Sequence, residues 1–111
     1  MIGNKCLKLV KPANVSYWAN IQFNLESSGI IGETLFVKCY VKSLINPSIV
    51  QIYTDSTYLM NLMSIPVSDE FILISNSFTI PECEIISIRF LFSPRDVNAS
   101  TLYVDDLNLS V

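Results

Sequence analysis

An all-β fold, a two-sheet antiparallel β-sandwich or jelly roll, is predicted by three features of this sequence. Apolar and polar residues alternate at every second place over most of the chain, which is the period of a strand with one buried face. Turn residues break that rhythm at near-regular intervals, at Ser27-Ser28-Gly29, Asn46-Pro47, Asp55-Ser56 and Pro81. No segment carries a convincing amphipathic-helix period, and seven or eight short strands fit a sandwich. With 111 residues and no internal repeat, the chain predicts a single domain over 1–111 that can bury a core without disulfide or metal staples.

The first strand is expected over residues 4–10, where Cys6, Lys8 and Val10 oppose Leu7 and Leu9, and Pro12 ends it. Residues 17–26 form the second, with Ala19, Ile21, Phe23 and Leu25 on one face and Trp18, Asn20, Gln22 and Asn24 on the other. A third runs from Thr34 to Lys42 with Leu35, Val37, Cys39 and Val41 facing one way. After the Asn46-Pro47 turn, residues 49–54 make a fourth, stopped by Asp55 and Ser56. Tyr58-Leu-Met-Asn-Leu-Met63 is ambiguous: its apolar residues fit a short strand or one helical turn, and its length favours the strand only slightly. Residues 71–79 and 85–92 read as further strands, the latter a central one from its apolar residues on both faces. The chain closes on Ser100–Val111, whose Leu102, Val104, Leu107, Leu109 and Val111 alternate with polar neighbours except at Asp105-Asp106. Acidic residues form sheet poorly and bond to nearby backbone N–H groups, so a bulge or bend is expected there.

Half the residues are hydrophobic and 15% are charged, against about 25% charged in a typical soluble domain. Such a balance suits either a core rich in Ile, Leu and Phe or apolar surface covered by a partner. No apolar run approaches the ~18 residues that span a bilayer, and the start lacks the apolar segment and cleavage site of a secretory signal. A non-membrane protein made and kept in a cytoplasm is therefore expected. The net charge of −3 is uneven, since the five lysines fall within residues 1–42 and eight of the ten acids beyond them. A pI near 4.7 makes nucleic acid a poor partner. Lys5, Lys8 and Lys11 suggest a basic N-terminal edge, either facing an acidic neighbour or guarding an edge strand from mispairing.

Chemistry is sparse. Histidine is absent, which removes the commonest general base and a usual zinc ligand. Cys6, Cys39 and Cys83 are odd in number, far apart and without CxxC spacing, so buried free thiols are expected rather than a disulfide or metal site. Adjacent carboxylates at Asp69-Glu70 and Asp105-Asp106 point to opposite faces of a strand and make no acid/base dyad. Asp105 or Asp106 offers a calcium ligand, but a bulge bonded to backbone explains both as well. No catalytic residue, cofactor or metal is expected, and the chain is not read as an enzyme. Trp18 beside Asn20 and Gln22 on one outward face fits a sugar platform, where a ring packs on pyranose C–H groups while amides bond hydroxyls. Core or interface packing explains the same aromatic residues without a ligand and is the favoured reading of them. Tyr58, Leu59, Met60, Leu62 and Met63, with Lys5, Lys8 and Lys11, are the candidate contacts for a protein partner, because methionine-rich surfaces adapt to what they touch. Met60 and Met63 filling the core is the alternative.

The closing stretch Thr101-Leu-Tyr-Val-Asp-Asp-Leu-Asn-Leu-Ser-Val111 resembles the last strand of carbohydrate-binding-module-like, galactose-binding-like jelly rolls. Gly3-Asn-Lys-Cys-Leu-Lys-Leu9 resembles their opening strand, and Gly32-Glu-Thr-Leu-Phe-Val-Lys-Cys-Tyr-Val-Lys-Ser43 a further one. Full modules usually carry a stretch ahead of the opening strand, often with metal-binding acids. Met1 stands two residues ahead of Gly3, a departure from that pattern that tells against the expectation of a calcium site and a complete sugar groove here. Domains of this kind also occur on virions, and in size and type the chain is similar to staple-like capsid decoration proteins of short-tailed bacteriophages. That resemblance implies a virion structural protein that folds in the host cytoplasm, binds the outer surface of the major capsid protein and stabilises the shell. A homodimer across capsid two-folds would suit it. A non-catalytic module that binds a surface glycan, or a tail-associated glycan-binding protein, is the alternative implied.

Overall fold

The computed structural model describes residues 6–12, 20–92 and 99–111. Among these residues lie the strands β1 (Cys6–Lys11), β2 (Asn20–Glu26), β3 (Thr34–Leu44), β4 (Ser48–Thr54), β5 (Thr57–Ile65), β6 (Ile72–Thr79), β7 (Ile85–Phe92) and β8 (Ser100–Ser110). They form two antiparallel four-stranded sheets, ordered β1-β8-β3-β6 and β2-β7-β4-β5. The all-β sandwich expected from the alternation is thus the fold.

Alternation decides what each sheet buries. Leu35, Val37, Cys39 and Val41 of β3 and Leu102, Val104 and Leu107 of β8 face Val50 and Ile52 of β4 and Ile86, Ile88, Phe90 and Phe92 of β7 in one continuous core. Phe23 of β2 meets Phe90 edge-on, with ring centres 6.0 Å apart. The two central strands of each sheet supply most of this core, and the edge strands carry the mixed faces.

The chain-end strand β8 does bulge where two acids interrupt it. Tyr40 pairs with Asp105 but Lys38 pairs with Asn108, so β8 spends one extra residue there. Asp106 takes φ +53°, a left-handed conformation that Asp and Asn tolerate better than other non-glycine residues. The extra residue returns Leu107 and Leu109 to the inward side.

The ambiguous segment is strand β5, and its period explains the ambiguity. Ile49 pairs with Ser64, Gln51 with Asn61 and Tyr53 with Tyr58, leaving Leu62 and Leu59 as extra residues at two bulges. A polar residue or tyrosine followed by two apolar ones repeats as Tyr58-Leu-Met, Asn61-Leu-Met, and each bulge restores Tyr58, Asn61 and Ser64 to the outer face. Twin bulges also suit an edge strand, since they spoil it as a template for further pairing. β5 and β6 end their sheets on the same side of the sandwich, where the Asn76 side-chain amide donates to the Leu62 carbonyl at 2.9 Å. The β4–β5 hairpin turns on Asp55 and Ser56, both at positive φ (48° and 68°), as a two-residue primed turn requires.

Candidate functional site

The outer face of the β2-β7-β4-β5 sheet is where polar and aromatic side chains converge. On β2, Ile21, Phe23 and Leu25 pack against the core, which turns Asn20, Gln22, Asn24 and Glu26 outward. Register then aligns these residues in rows across the sheet. Gln22 lies beside Arg89, Arg89 beside Gln51 and Gln51 beside Asn61. The next row runs Asn24, Ser87, Tyr53 and Tyr58, and on the other side runs Asn20, Leu91, Ile49 and Ser64.

Hydrogen bonds tie these rows together. The Gln22 amide donates to Asn24 Oδ1 at 2.9 Å, Ser87 Oγ donates to the same oxygen at 2.7 Å, and the Gln51 amide donates to Asn61 Oδ1 at 3.1 Å. The Arg89 guanidinium stacks on Tyr53, its central carbon 3.7 Å from the ring centre, and Tyr53 meets Tyr58 edge-on at 5.7 Å. Asn20, Gln51, Tyr53, Arg89 and Leu91 line a depression of about 260 Å³. Amides supply both donors and acceptors, and two tyrosine rings supply apolar planes with polar tips. Such a lining offers hydrogen-bond donors, acceptors and one cation side by side.

The other candidates assemble no comparable chemistry. Among the described residues no three His, Cys, Asp or Glu side chains gather as a metal site. The Asp55 carboxylate accepts from the backbone N–H groups of Glu84 and Ile85 at 2.9–3.2 Å, which makes it a clamp between the hairpin turn and the start of β7. A second hollow of about 360 Å³ is lined by Glu26, Ser28, Glu84 and Ile85. Burial pushes the Cys39 thiol from 9.0 to about 12, so it is no nucleophile at neutral pH. Cys83 is also buried, its sulfur 3.1 Å from Ser27 Oγ, whereas Cys6 is exposed.

Asn20 and Gln22 stand together on the described face, as their alternation predicts. Trp18 and Lys5 lie outside the described residues. Lys8 faces outward on the opposite sheet, 5.6 Å from the Tyr103 ring centre, while Lys11 points inward and is 1% exposed. A basic edge therefore retains Lys8 alone of the two described lysines. Leu59, Met60, Leu62 and Met63 are half-buried against the core, and Tyr58 is exposed beside Tyr53. Sequence reasoning missed Arg89, Gln51, Tyr53 and Asn61 as members of one face. Gln51 and Tyr53 alternate with Val50 and Ile52, and Arg89 interrupts the most apolar strand of the chain. An arginine there is the signal that could have found the site, because a charge on a central strand needs a reason.

No family model matches the chain, and no curated protein matches it either. Among solved structures, one described as a CBM4 carbohydrate-binding module superposes with a TM-score of 0.71 at 18% identity, over 95% of this chain and 82% of its own. The C-terminal domain of EclA, described as a sugar-binding protein, gives a TM-score of 0.65 at 10% identity, over 99% and 80%. A variant family 29 carbohydrate-binding module complexed with mannohexaose gives 0.58 at 11% identity, over 93% and 90%. At these identities the likeness is one of fold, and the fold is that of carbohydrate-binding-module β-sandwiches.

Proposed function

We propose that the chain is a non-catalytic carbohydrate-binding module that takes a glycan across the outer face of the β2-β7-β4-β5 sheet. The row Gln22, Arg89, Gln51 and Asn61, with Tyr53 and Tyr58 beside it, carries this reading. A sugar ring presents C–H faces that pack on tyrosine and a rim of hydroxyls that need donors and acceptors together, which is what amides provide. The fold relatives named for sugar binding support the same reading. The capsid-decoration role, with the major capsid protein and a second copy as partners, has no comparable support from the geometry or the relatives.

Affinity electrophoresis through gels containing soluble polysaccharides tests it. Retardation is expected with at least one glycan, and Tyr53→Ala or Gln51→Ala is expected to weaken it about tenfold, or about 1.4 kcal/mol. Unhindered migration of the folded wild-type protein through mannans, glucans, galactans and uronans would refute it.

A further inference from the structure

Arg89 has a property that a platform for neutral sugars does not require. Its Nε–H is buried and donates to no partner, and no carboxylate pairs with its guanidinium among the described residues. The nearest acid on the same face of β2, Glu26, lies four residues along from Gln22, about 13 Å at strand rise. Asp55, at the same end, is held by the backbone of Glu84 and Ile85. The neighbours of Arg89 across the sheet, Gln22 and Gln51, are neutral.

We propose that Arg89 makes this face selective for an anionic glycan, one whose ring bears a carboxylate or a sulfate ester. The proposal rests on the glycan-binding reading above. Stacking on Tyr53 at 3.7 Å fixes the plane of the guanidinium, and a guanidinium so held presents its N–H edge in a fork that matches two oxygens of one anionic group. A neutral hydroxyl satisfies one donor and leaves the charge unbalanced. Charge-assisted pairs are roughly twice as strong as neutral ones, so the anion is preferred. The depression of about 260 Å³ falls below the about 300 Å³ of sites that enclose a drug-sized ligand. It therefore suits one ring with its charged substituent.

Titration calorimetry of the full chain against matched oligosaccharides tests this. The probes are oligogalacturonate, its carboxyl-reduced neutral counterpart, a sulfated galactan fragment and its desulfated counterpart. Wild type is expected to bind at least one charged probe ten or more times tighter than its neutral counterpart, and the pair that shows the gap tells carboxylate from sulfate. The gap should narrow as salt rises. In Arg89→Gln the ratio of charged to neutral affinity should close to within about twofold whatever happens to the neutral affinity itself, and Arg89→Lys, which keeps the charge without the fork, should retain part of the gap. Equal affinity for charged and neutral members of both pairs overturns the anionic selectivity and leaves the glycan-binding reading standing. Binding to none of the four probes or to any polysaccharide in the gels overturns both. Because the decisive comparison uses wild-type protein, it holds even if Arg89→Gln misfolds.

Discussion

Removing a single residue, Asp106, should leave the sandwich intact, while removing its neighbour Leu107 should not. On one side of the bulge Tyr40 faces Asp105, and on the other Lys38 faces Asn108. Without Asp106 the pairing runs on unbroken, with Leu107 opposite Cys39. Leu102, Val104, Leu107 and Leu109 then still point inward. The deletion trades a left-handed residue at φ +53° for a regular ladder, and its net effect should stay within about 1 kcal/mol. Deleting Leu107 shortens the chain equally, but it brings Asp106 into the inward place of a leucine that is 2% exposed. Losing a buried leucine costs about 2–5 kcal/mol, and burying a carboxylate adds several more. Small domains have only about 5–15 kcal/mol in total. Urea unfolding followed by circular dichroism reads the difference. At a slope of about 1–3 kcal/mol per molar urea, the Asp106 deletion should hold its midpoint within about 1 M of wild type, and the Leu107 deletion should be largely unfolded without denaturant. Equal damage from both deletions would show that Asp106 is not a removable insertion and that the ladder is not set as described.

Other outcomes follow from single features. Ile45 is a β-branched residue at φ 76° and 62% exposed, so Ile45→Asn should relieve strain and raise stability by about 1 kcal/mol; a lower urea midpoint would contradict this. The Cys39 thiol, raised to about 12 by burial, ionises in the unfolded chain first. Its contribution to stability is full below pH 9 and falls as pH rises from 9 toward 12, by up to about 1.4 kcal/mol per pH unit. Cys39→Val should flatten that decline in urea midpoints between pH 8 and pH 10, and an unchanged slope would dismiss it. In native protein at pH 8 a thiol-specific chromogenic reagent should modify Cys6 within minutes and reach Cys39 and Cys83 only through unfolding. Asn76→Ala removes the tie to the Leu62 carbonyl at the open edge and should cost about 1 kcal/mol, read as a lower thermal midpoint.

The strands were legible because their faces are chemically distinct. Leu35, Val37, Cys39 and Val41 against Phe36, Lys38, Tyr40 and Lys42 leaves little choice of face, and the acid pair marks the bulge of β8 at its true place. β5 resisted because its repeat is three residues long. It satisfies the period of a strand only when a bulge absorbs one residue per triplet, and bulges are set by the partner strand rather than by local propensity. The candidate face resisted for a different reason. Asn20 and Gln22 are neighbours in sequence, but Gln51, Asn61 and Arg89 reach them only through pairing of β2 with β7, β7 with β4 and β4 with β5. Periodicity tells which side of a strand a residue occupies, and says nothing of which strand lies beside it.

The two outer faces differ in a way that bears on where a ligand sits. On the β1-β8-β3-β6 sheet, Lys42 lies 4.7 Å from the Tyr103 ring centre and 4.9 Å from that of Phe71, and Lys8 also approaches Tyr103. Cations there already rest on aromatic rings, so those planes are partly occupied by the protein itself. Among the described residues of the β2-β7-β4-β5 sheet, Arg89 alone stacks, on Tyr53, which leaves the Tyr58 ring beside a band of amides. The exposed amides contribute little to folding, since surface substitutions of this kind stay within about 0.5 kcal/mol. Gln22→Ala and Asn61→Ala should therefore leave the urea midpoint nearly unchanged while weakening glycan retention. A large loss of stability from either, with retention intact, would reassign the face from recognition to structure.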